Sequence, residues 1–428
     1  MDYRSSLEFL YGLQKFGIKF GLNSTENILK SLGNPHANRK YIHVGGTNGK
    51  GSVCAFINSI LIEAGYKVGF YSSPHLVTFR ERFQINGEYI NESDVVDLVT
   101  DLKAIMKDQE LPTFFEVTTA MALSYFNKKN TDIDILEVGM GGRLDATNVV
   151  TPLVSIITNV SLEHQQYLGK NIKQIAFEKA GIIKKGVPVV TSGRFRDAKH
   201  VILKASSEKD APCYMLDRDF WIKEKKGGYC FSGLDVRLEG LKPGLIGSYQ
   251  RQNLGLAVAA VLLIKSFGFK IEEEHIRTGV SKAFWPGRFQ LISQSPKILL
   301  DGAHNPNAMR ALRKALWRLD FERLILVIGI MSDKDKKKIL KEIVPYAHFT
   351  IFTRPKYYRA EDPRVLAKEA EEFTDYPIVI QNLDEAIQMA KSMAMGHPKN
   401  LILITGSLFT VGEALQILDP QRYKPDPL

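Results

Sequence analysis

Lys40-Tyr41-Ile42-His43-Val44-Gly45-Gly46-Thr47-Asn48-Gly49-Lys50-Gly51-Ser52 reads as an apolar strand, Lys40 to Val44, running into a glycine-rich turn. A helix from Ser52 to Ala64 follows and is closed by Gly65. Strand, glycine turn and helix in that order form the repeating unit of a parallel α/β sheet. The turn also has a chemistry. Glycines let backbone N–H groups point inward around phosphate oxygens, and the helix N-terminus adds a partial positive charge. Lys50 is then placed to reach β and γ phosphates, and the Ser52 hydroxyl to help hold Mg²⁺. The spacing departs from the strict G-x-x-x-x-G-K-[ST] pattern: Val44 stands where the first glycine belongs, and Gly51 separates Lys50 from Ser52. The plainer alternative is a turn that only joins strand to helix.

Outward from this stretch, apolar strand candidates alternate with helices. Val68 to Tyr71, Ile133 to Val138, Leu153 to Thr158 and Val187 to Thr191 read as strands. Helices are predicted from a Ser93 cap to about Met106, over Glu116 to Phe126, and over Tyr249 to Phe267, closed by Gly268. Residues 213–240, with Gly227-Gly228, suggest a small antiparallel excursion. Trp285-Pro286-Gly287-Arg288 breaks all periodicity and marks a domain boundary. A second α/β series follows. Its strands are 298–300, 324–328, 349–352, 378–380 and 401–404, and its helices 307–319, 334–342, 364–373 and 383–393. The expected architecture is α/β with two unequal domains. Residues 1–287 form a P-loop-type, mostly parallel sheet flanked by helices, and residues 288–428 a smaller Rossmann-like domain.

Composition sets outer bounds. The 428 residues are 44% hydrophobic and 24% charged, which excludes disorder or a coiled coil as the main architecture. The longest apolar run, Leu254 to Ile264, falls short of the ~20 residues that span a bilayer. Met1 to Lys30 mixes Asp2, Arg4 and Glu8 with apolar residues and does not read as a signal peptide. Three cysteines without a Cys-x-x-Cys pair fit a reducing compartment, so a cytoplasmic location is expected. Fifty-seven basic and 47 acidic residues leave +10, compatible with nucleic acid, a membrane surface or anionic small molecules. The run Lys334, Lys336, Lys337, Lys338 has Asp333 and Asp335 interleaved and no aromatics, so it reads as a solvated helix face.

Gly46 to Ser52 resembles the phosphate loop of the folylpolyglutamate synthases, members of the ATP-dependent Mur ligase superfamily. The resemblance continues in order along the chain. It runs through Tyr71-Ser72-Ser73-Pro74-His75-Leu76, Phe115-Glu116-Val117-Thr118-Thr119-Ala120 and Leu136-Glu137-Val138-Gly139-Met140-Gly141-Gly142-Arg143-Leu144-Asp145. It goes on through Leu162-Glu163-His164, Glu178-Lys179-Ala180-Gly181, Gln252-Asn253, Pro286-Gly287-Arg288, Asp301-Gly302-Ala303-His304-Asn305-Pro306 and Thr405-Gly406-Ser407. It implies a ligase that uses ATP to turn a folate carboxylate into an acyl phosphate, which the amine of L-glutamate then attacks. Some members of the family also join dihydropteroate to the first glutamate.

The resemblance also implies roles. Thr47, Asn48, Gly49, Lys50, Gly51 and Ser52 would hold the ATP phosphates, with Asn253, Arg288 and Asp301 completing the nucleotide site. Ser73, Glu137, His164 and Ser52 would bind Mg²⁺, expected as two ions. Glu137 also ends a strand, where ligands of open parallel sheets bind. By the family's precedent Lys179 carries a carbamate from CO₂ near the metal; on its own, a lysine within Phe177-Glu178-Lys179 reads as a solvated helical residue. Phe115 and Glu116, with Ser73, Pro74 and His75, would face the pteridine or its tail, and His304 and Ser407 the incoming glutamate. Lys50, Lys179 and His304 are the expected catalytic residues. The implied partners are ATP, L-glutamate and a reduced folate or dihydropteroate, with no nucleic acid or membrane, bound by a monomer. A peptidoglycan Mur ligase is the nearest alternative, but those enzymes carry an N-terminal nucleotide-sugar domain, and only 44 residues precede Gly45.

Overall fold

The computed structural model describes every residue except 18, 20, 107–111 and 428, and the chain builds two α/β domains. The first is organised on an eight-stranded sheet. Its parallel strands lie in the order Val68–Tyr71, Ile133–Glu137, Tyr41–Gly45, Val154–Ile157, Val189–Thr191, Cys213–Met215. The hairpin Phe83–Ile85 with Glu88–Tyr89 extends it antiparallel beside Val68–Tyr71. Val44 lies opposite both Glu137 and Ile156, so the phosphate-loop strand is central.

Every residue of Tyr41–Gly45 is buried, which is why it reads as a continuous apolar run: helices cover both faces. Ile42, Val44, Ile133 and Ile135 join one core with the helices Lys50–Glu63 and Gln250–Ile264. Tyr41, Tyr71 and Leu136 join another, under Tyr3–Gly12, Glu92–Ile105 and Phe114–Lys128. The strands Phe220–Lys225, Gly228–Gly233 and Val236–Leu241 form the expected antiparallel excursion, although Cys213–Met215 belongs to the main sheet.

The predicted Ser93 cap is corrected. Asn91 caps that helix, its side-chain oxygen accepting from the Asp94 N–H at 2.8 Å, because Asn91 has the extended backbone of a cap and Ser93 lies inside the first turn.

The second domain orders its strands Gln290–Gln294, Lys297–Asp301, Asn400–Thr405, Arg323–Ile328, Phe349–Arg354, Pro377–Asn382. All pair in parallel save the first, an antiparallel edge. No described helix is long and apolar enough to cross a membrane. The carboxyl ends of both sheets open into the same cleft, of about 670 Å³, with residues after Tyr41–Gly45, Ile133–Glu137 and Val154–Ile157 on one wall and after Lys297–Asp301 and Asn400–Thr405 on the other.

Candidate active site

The glycine turn closes tightly on its neighbours. Gly49 sits at φ +89°, and a Cβ there would lie 2.4 Å from Asn253 Oδ1, so only glycine fits. Thr158 Oγ1 and Asn159 Nδ2 both donate to the Asn48 carbonyl at 2.8 Å, and Ser161 N–H donates to Thr47 Oγ1 at 3.0 Å. Lys50 opens the helix and folds its ammonium over the loop, donating to the carbonyls of Gly46 (3.1 Å) and Thr47 (3.3 Å). A bound phosphate would take over those contacts. The Ser52 hydroxyl is buried and accepts from Gln250 Nε2 at 3.2 Å.

Glu137 ends its strand at the cleft wall, buried. Burial raises its carboxyl above the usual range, against the charges of Lys50 and Arg288 and the Ser73 N–H. Ser73 and Pro74 border it in the cleft, and His164 stands exposed there at a left-handed φ of 44°. Among the described residues no group of three or more His, Cys, Asp or Glu gathers to hold a metal. The donors present are one carboxylate, two hydroxyls and an imidazole. The carboxylate and the hydroxyls suit Mg²⁺, which keeps waters and takes phosphate oxygens instead of a full protein cage, whereas the imidazole is an unusual ligand for it.

Lys179 is not solvated. It is 1% exposed, on the helix Ile172–Ala180, with its ammonium 2.6 Å from Glu163 Oε1. Burial pulls the ammonium below its usual value while Glu163 opposes. Burial also works against the Glu163 carboxylate, but the charges of Lys179 and Lys50 outweigh it and hold the group below the usual range.

From the second domain, Asp301 is buried and accepts from three donors. Oδ2 accepts from Tyr249 OH (2.8 Å) and Phe289 N–H (2.9 Å), and Oδ1 from Ala303 N–H (2.9 Å). Arg288 lines the cleft close by and opposes the upward push of burial on Asp301. His304 Nδ1 lies 2.9 Å from the Gly302 carbonyl, and burial holds its imidazole down to about 4, neutral near pH 7. Asn305 and Asn48 join the domains: Asn305 Nδ2 donates to Asn48 Oδ1 at 2.9 Å. Asn253 donates to Gln250 Oε1 at 2.7 Å on the cleft wall.

Three expected substrate contacts lie outside the cleft lining, and a fourth lines the cleft with its hydroxyl engaged. Glu116 closes a capping box, its carboxylate accepting from Thr113 N–H at 2.6 Å, because the helix begins at Phe114 and Glu116 is its third residue. His75 is turned into a cluster with Tyr11 and Phe79, its Nδ1 accepting from Arg82 Nε at 2.9 Å. Phe115 stands behind the cleft wall, its ring against the Cα face of Gly139. Ser407 lines the cleft, but its hydroxyl is committed as the cap of the helix Leu408–Leu418, accepting from Thr410 N–H at 2.9 Å.

The chain matches the Mur ligase middle domain over residues 44–261 and the Mur ligase glutamate ligase domain over 287–408. It is 35% identical over 427 residues to the dihydrofolate synthase/folylpolyglutamate synthase of Bacillus subtilis, covering 96% of this chain and 98% of that one. The chain belongs to the folylpolyglutamate synthase family of the Mur ligases. It is also 35% identical to a probable bifunctional folylpolyglutamate synthase/dihydropteroate synthase of Haloferax volcanii, of which it spans 50%. Among solved structures of the family, the Thermotoga maritima folylpolyglutamate synthase is 39% identical (TM-score 0.85, 99% of this chain, 98% of that one). The Escherichia coli FolC in complex with DHPP and ADP is 31% identical (TM-score 0.90, 99% of each chain).

Other cleft residues had no role assigned from the family motifs. Arg194, Arg251, Arg310, Lys314, Lys334 and Arg359 line it from both domains, and Tyr249 reaches across to Asp301. Arg251 adjoins the Gln252-Asn253 motif, and the other basic residues lie in segments that read as ordinary helices or turns with no local signal. Glu163 had such a signal in its adjacency to His164.

Proposed function

We propose that the protein is an ATP-dependent ligase that adds L-glutamate to the glutamate tail of a reduced folate. The observation that carries this reading is the single cleft in which the glycine turn and Lys50 of one domain face Arg288, Asp301 and His304 of the other. Joining a carboxylate to an amine in water is uphill, so the carboxylate is first converted to an acyl phosphate, and phosphate leaves when the amine attacks. Phosphoryl transfer of this kind depends on positioning and charge neutralisation. Lys50, freed from its own loop, and Arg288 supply fixed cations to the transferring group, and the guanidinium fork of Arg288 suits phosphate. The cleft walls hold the two reactants at one point and keep water from the acyl phosphate. His304, neutral at pH 7 because burial disfavours its charged form, can accept a hydrogen bond from the attacking amine and orient it, while the proton the amine sheds passes to the leaving phosphate.

Ser52, Ser73, Glu137 and His164 would hold Mg²⁺, which supplies further charge neutralisation at the phosphates. Carbamylation of Lys179 would require its ammonium to leave Glu163 and shed one proton; the free amine would then form an N–C bond to CO₂ and release a second proton, leaving a carbamate anion, and burial favours the neutral amine that this needs. A reducing, cytoplasmic location fits the three free cysteines.

ADP release is measured with ATP, Mg²⁺ and L-glutamate against three acceptors. Turnover with a reduced folate is expected, and the dihydropteroate arm decides whether the first glutamate is joined at the same site. Turnover with a UDP-muramyl acceptor alone overturns the reading.

A further inference from the structure

The segment Asp419–Pro427, after the helix Leu408–Leu418, runs from the second domain back onto the first. Tyr423 is buried in the second domain's core, where its hydroxyl accepts from Gln290 Nε2 at 3.1 Å. Three residues on, the Asp426 carboxylate takes three donors from the first domain: Tyr3 OH (2.7 Å) and Thr78 Oγ1 (2.6 Å) on Oδ1, and Phe79 N–H (2.7 Å) on Oδ2. Hydrogen bonds to an ionised acceptor are the strong kind, and three on one carboxylate fix it in place.

The turn that Asp426 grips is continuous with the Ser73-Pro74 corner of the cleft. From inside, Glu81 holds the same turn, its carboxylate accepting from the N–H groups of Leu76 (2.7 Å), Val77 (2.9 Å) and Thr78 (3.0 Å). From outside, the Leu76 carbonyl lies against Gly412 of the second domain's last helix, 2.1 Å from where a Cβ would stand. Residues 76–79 are thus gripped between the domains, three residues on from Ser73. Of the two carboxylates that order them, one belongs to each domain.

We infer that Asp426 is a positioning residue. It clasps the Thr78–Phe79 turn and thereby holds Ser73 against Glu137, so that the substrate-facing corner of the first domain is set by the placement of the second. The occupant of that corner rests on the folate-ligase reading; the clasp itself does not.

Hydrogen–deuterium exchange of the parent and Asp426→Ala, without substrate, tests the clasp directly. The amides of Leu76 to Phe79 are expected to exchange at least tenfold faster in the variant, with those of Ile133 to Glu137 unchanged. Tyr3→Phe, which removes one donor and no packing, should show the same pattern more weakly. In steady-state assays Asp426→Ala should raise KM for the reduced folate about tenfold, with KM for ATP within twofold and kcat within threefold of the parent. Unchanged exchange at residues 76–79, or acceleration spread evenly over the molecule, overturns the inference. So does an equal rise in both KM values. A parent protein inactive with every folate acceptor would sink the ligase reading while the exchange result still decided the clasp.

Discussion

At the scale of single residues, Lys50 and Lys179 carry opposite assignments for the same functional group. Lys50 is a cation held by carbonyls at the mouth of the loop, ready for phosphate. Lys50→Ala should lower ADP release by at least 10²–10³-fold, the scale for loss of one preorganised charge at a reacting group. Its circular dichroism and thermal midpoint should stay at the parent values; wild-type turnover would remove the phosphate-loop assignment. Lys179 is buried beside Glu163, a place where a permanent cation is costly without its partner. ¹³C NMR under ¹³CO₂ should show a carbamate resonance that disappears in Lys179→Ala. An identical spectrum in parent and variant would leave Lys179 as a structural ammonium. The sequence shows Lys179 only as a lysine at a helical position, because burial there depends on how the helix Ile172–Ala180 lies against the sheet.

At the scale of elements, two contacts support the phosphate loop from behind. A Cβ on Gly51 would lie 2.7 Å from Trp285 Nε1, so the first turn of the helix Lys50–Glu63 packs directly on the segment between the domains. Gly51→Ala should therefore cost about 1–3 kcal/mol by overpacking, read as a lower midpoint in urea, and an unchanged midpoint would show that Trp285 gives way freely. His43, on the strand Tyr41–Gly45, is fully buried, and its Nε2–H donates to Thr147 Oγ1 at 2.8 Å, since the Thr147 hydroxyl is itself given to Asp145. Burial lowers its imidazole from 6.5 to about 3. Below pH 6.5 the unfolded chain takes up a proton that the folded one refuses, so this residue's share of stability falls as pH drops. The slope is about 1.4 kcal/mol per pH unit. Stability of His43→Gln measured between pH 6.5 and 4.5 should lack that share of the slope; equal slopes in parent and variant would contradict it. The central strands and the Gln250–Ile264 helix are legible in the sequence because continuous apolar runs and a closing glycine mark them. The strand Gln290–Gln294 is not, since it is a polar edge whose existence depends on pairing with Lys297–Asp301. Glu116 and Ser407 both sit in family motifs, and what the motifs alone do not show is that local helix starts engage their polar groups.

At the scale of the whole molecule, the +10 charge has a partial address. Among the described residues lining the cleft, nine are Lys or Arg and four are Asp or Glu. The surplus surrounds a space where ATP, a folate tail and glutamate, all anions, would meet, and a low-dielectric cleft concentrates that field. Asn48–Asn305, Tyr249–Asp301 and the Asp426 contacts hold the walls of that space together across the domain boundary. The central claim is that this one cleft transfers the γ-phosphoryl group of ATP to a folate carboxylate before the amide forms. The direct measurement uses a reduced folate labelled with ¹⁸O in its terminal carboxylate, with ATP, Mg²⁺ and L-glutamate, and follows the label by mass spectrometry. The account predicts ADP, a glutamyl-extended folate, and an ¹⁸O atom carried into the released phosphate. Phosphate without label, or label recovered in AMP, would contradict it.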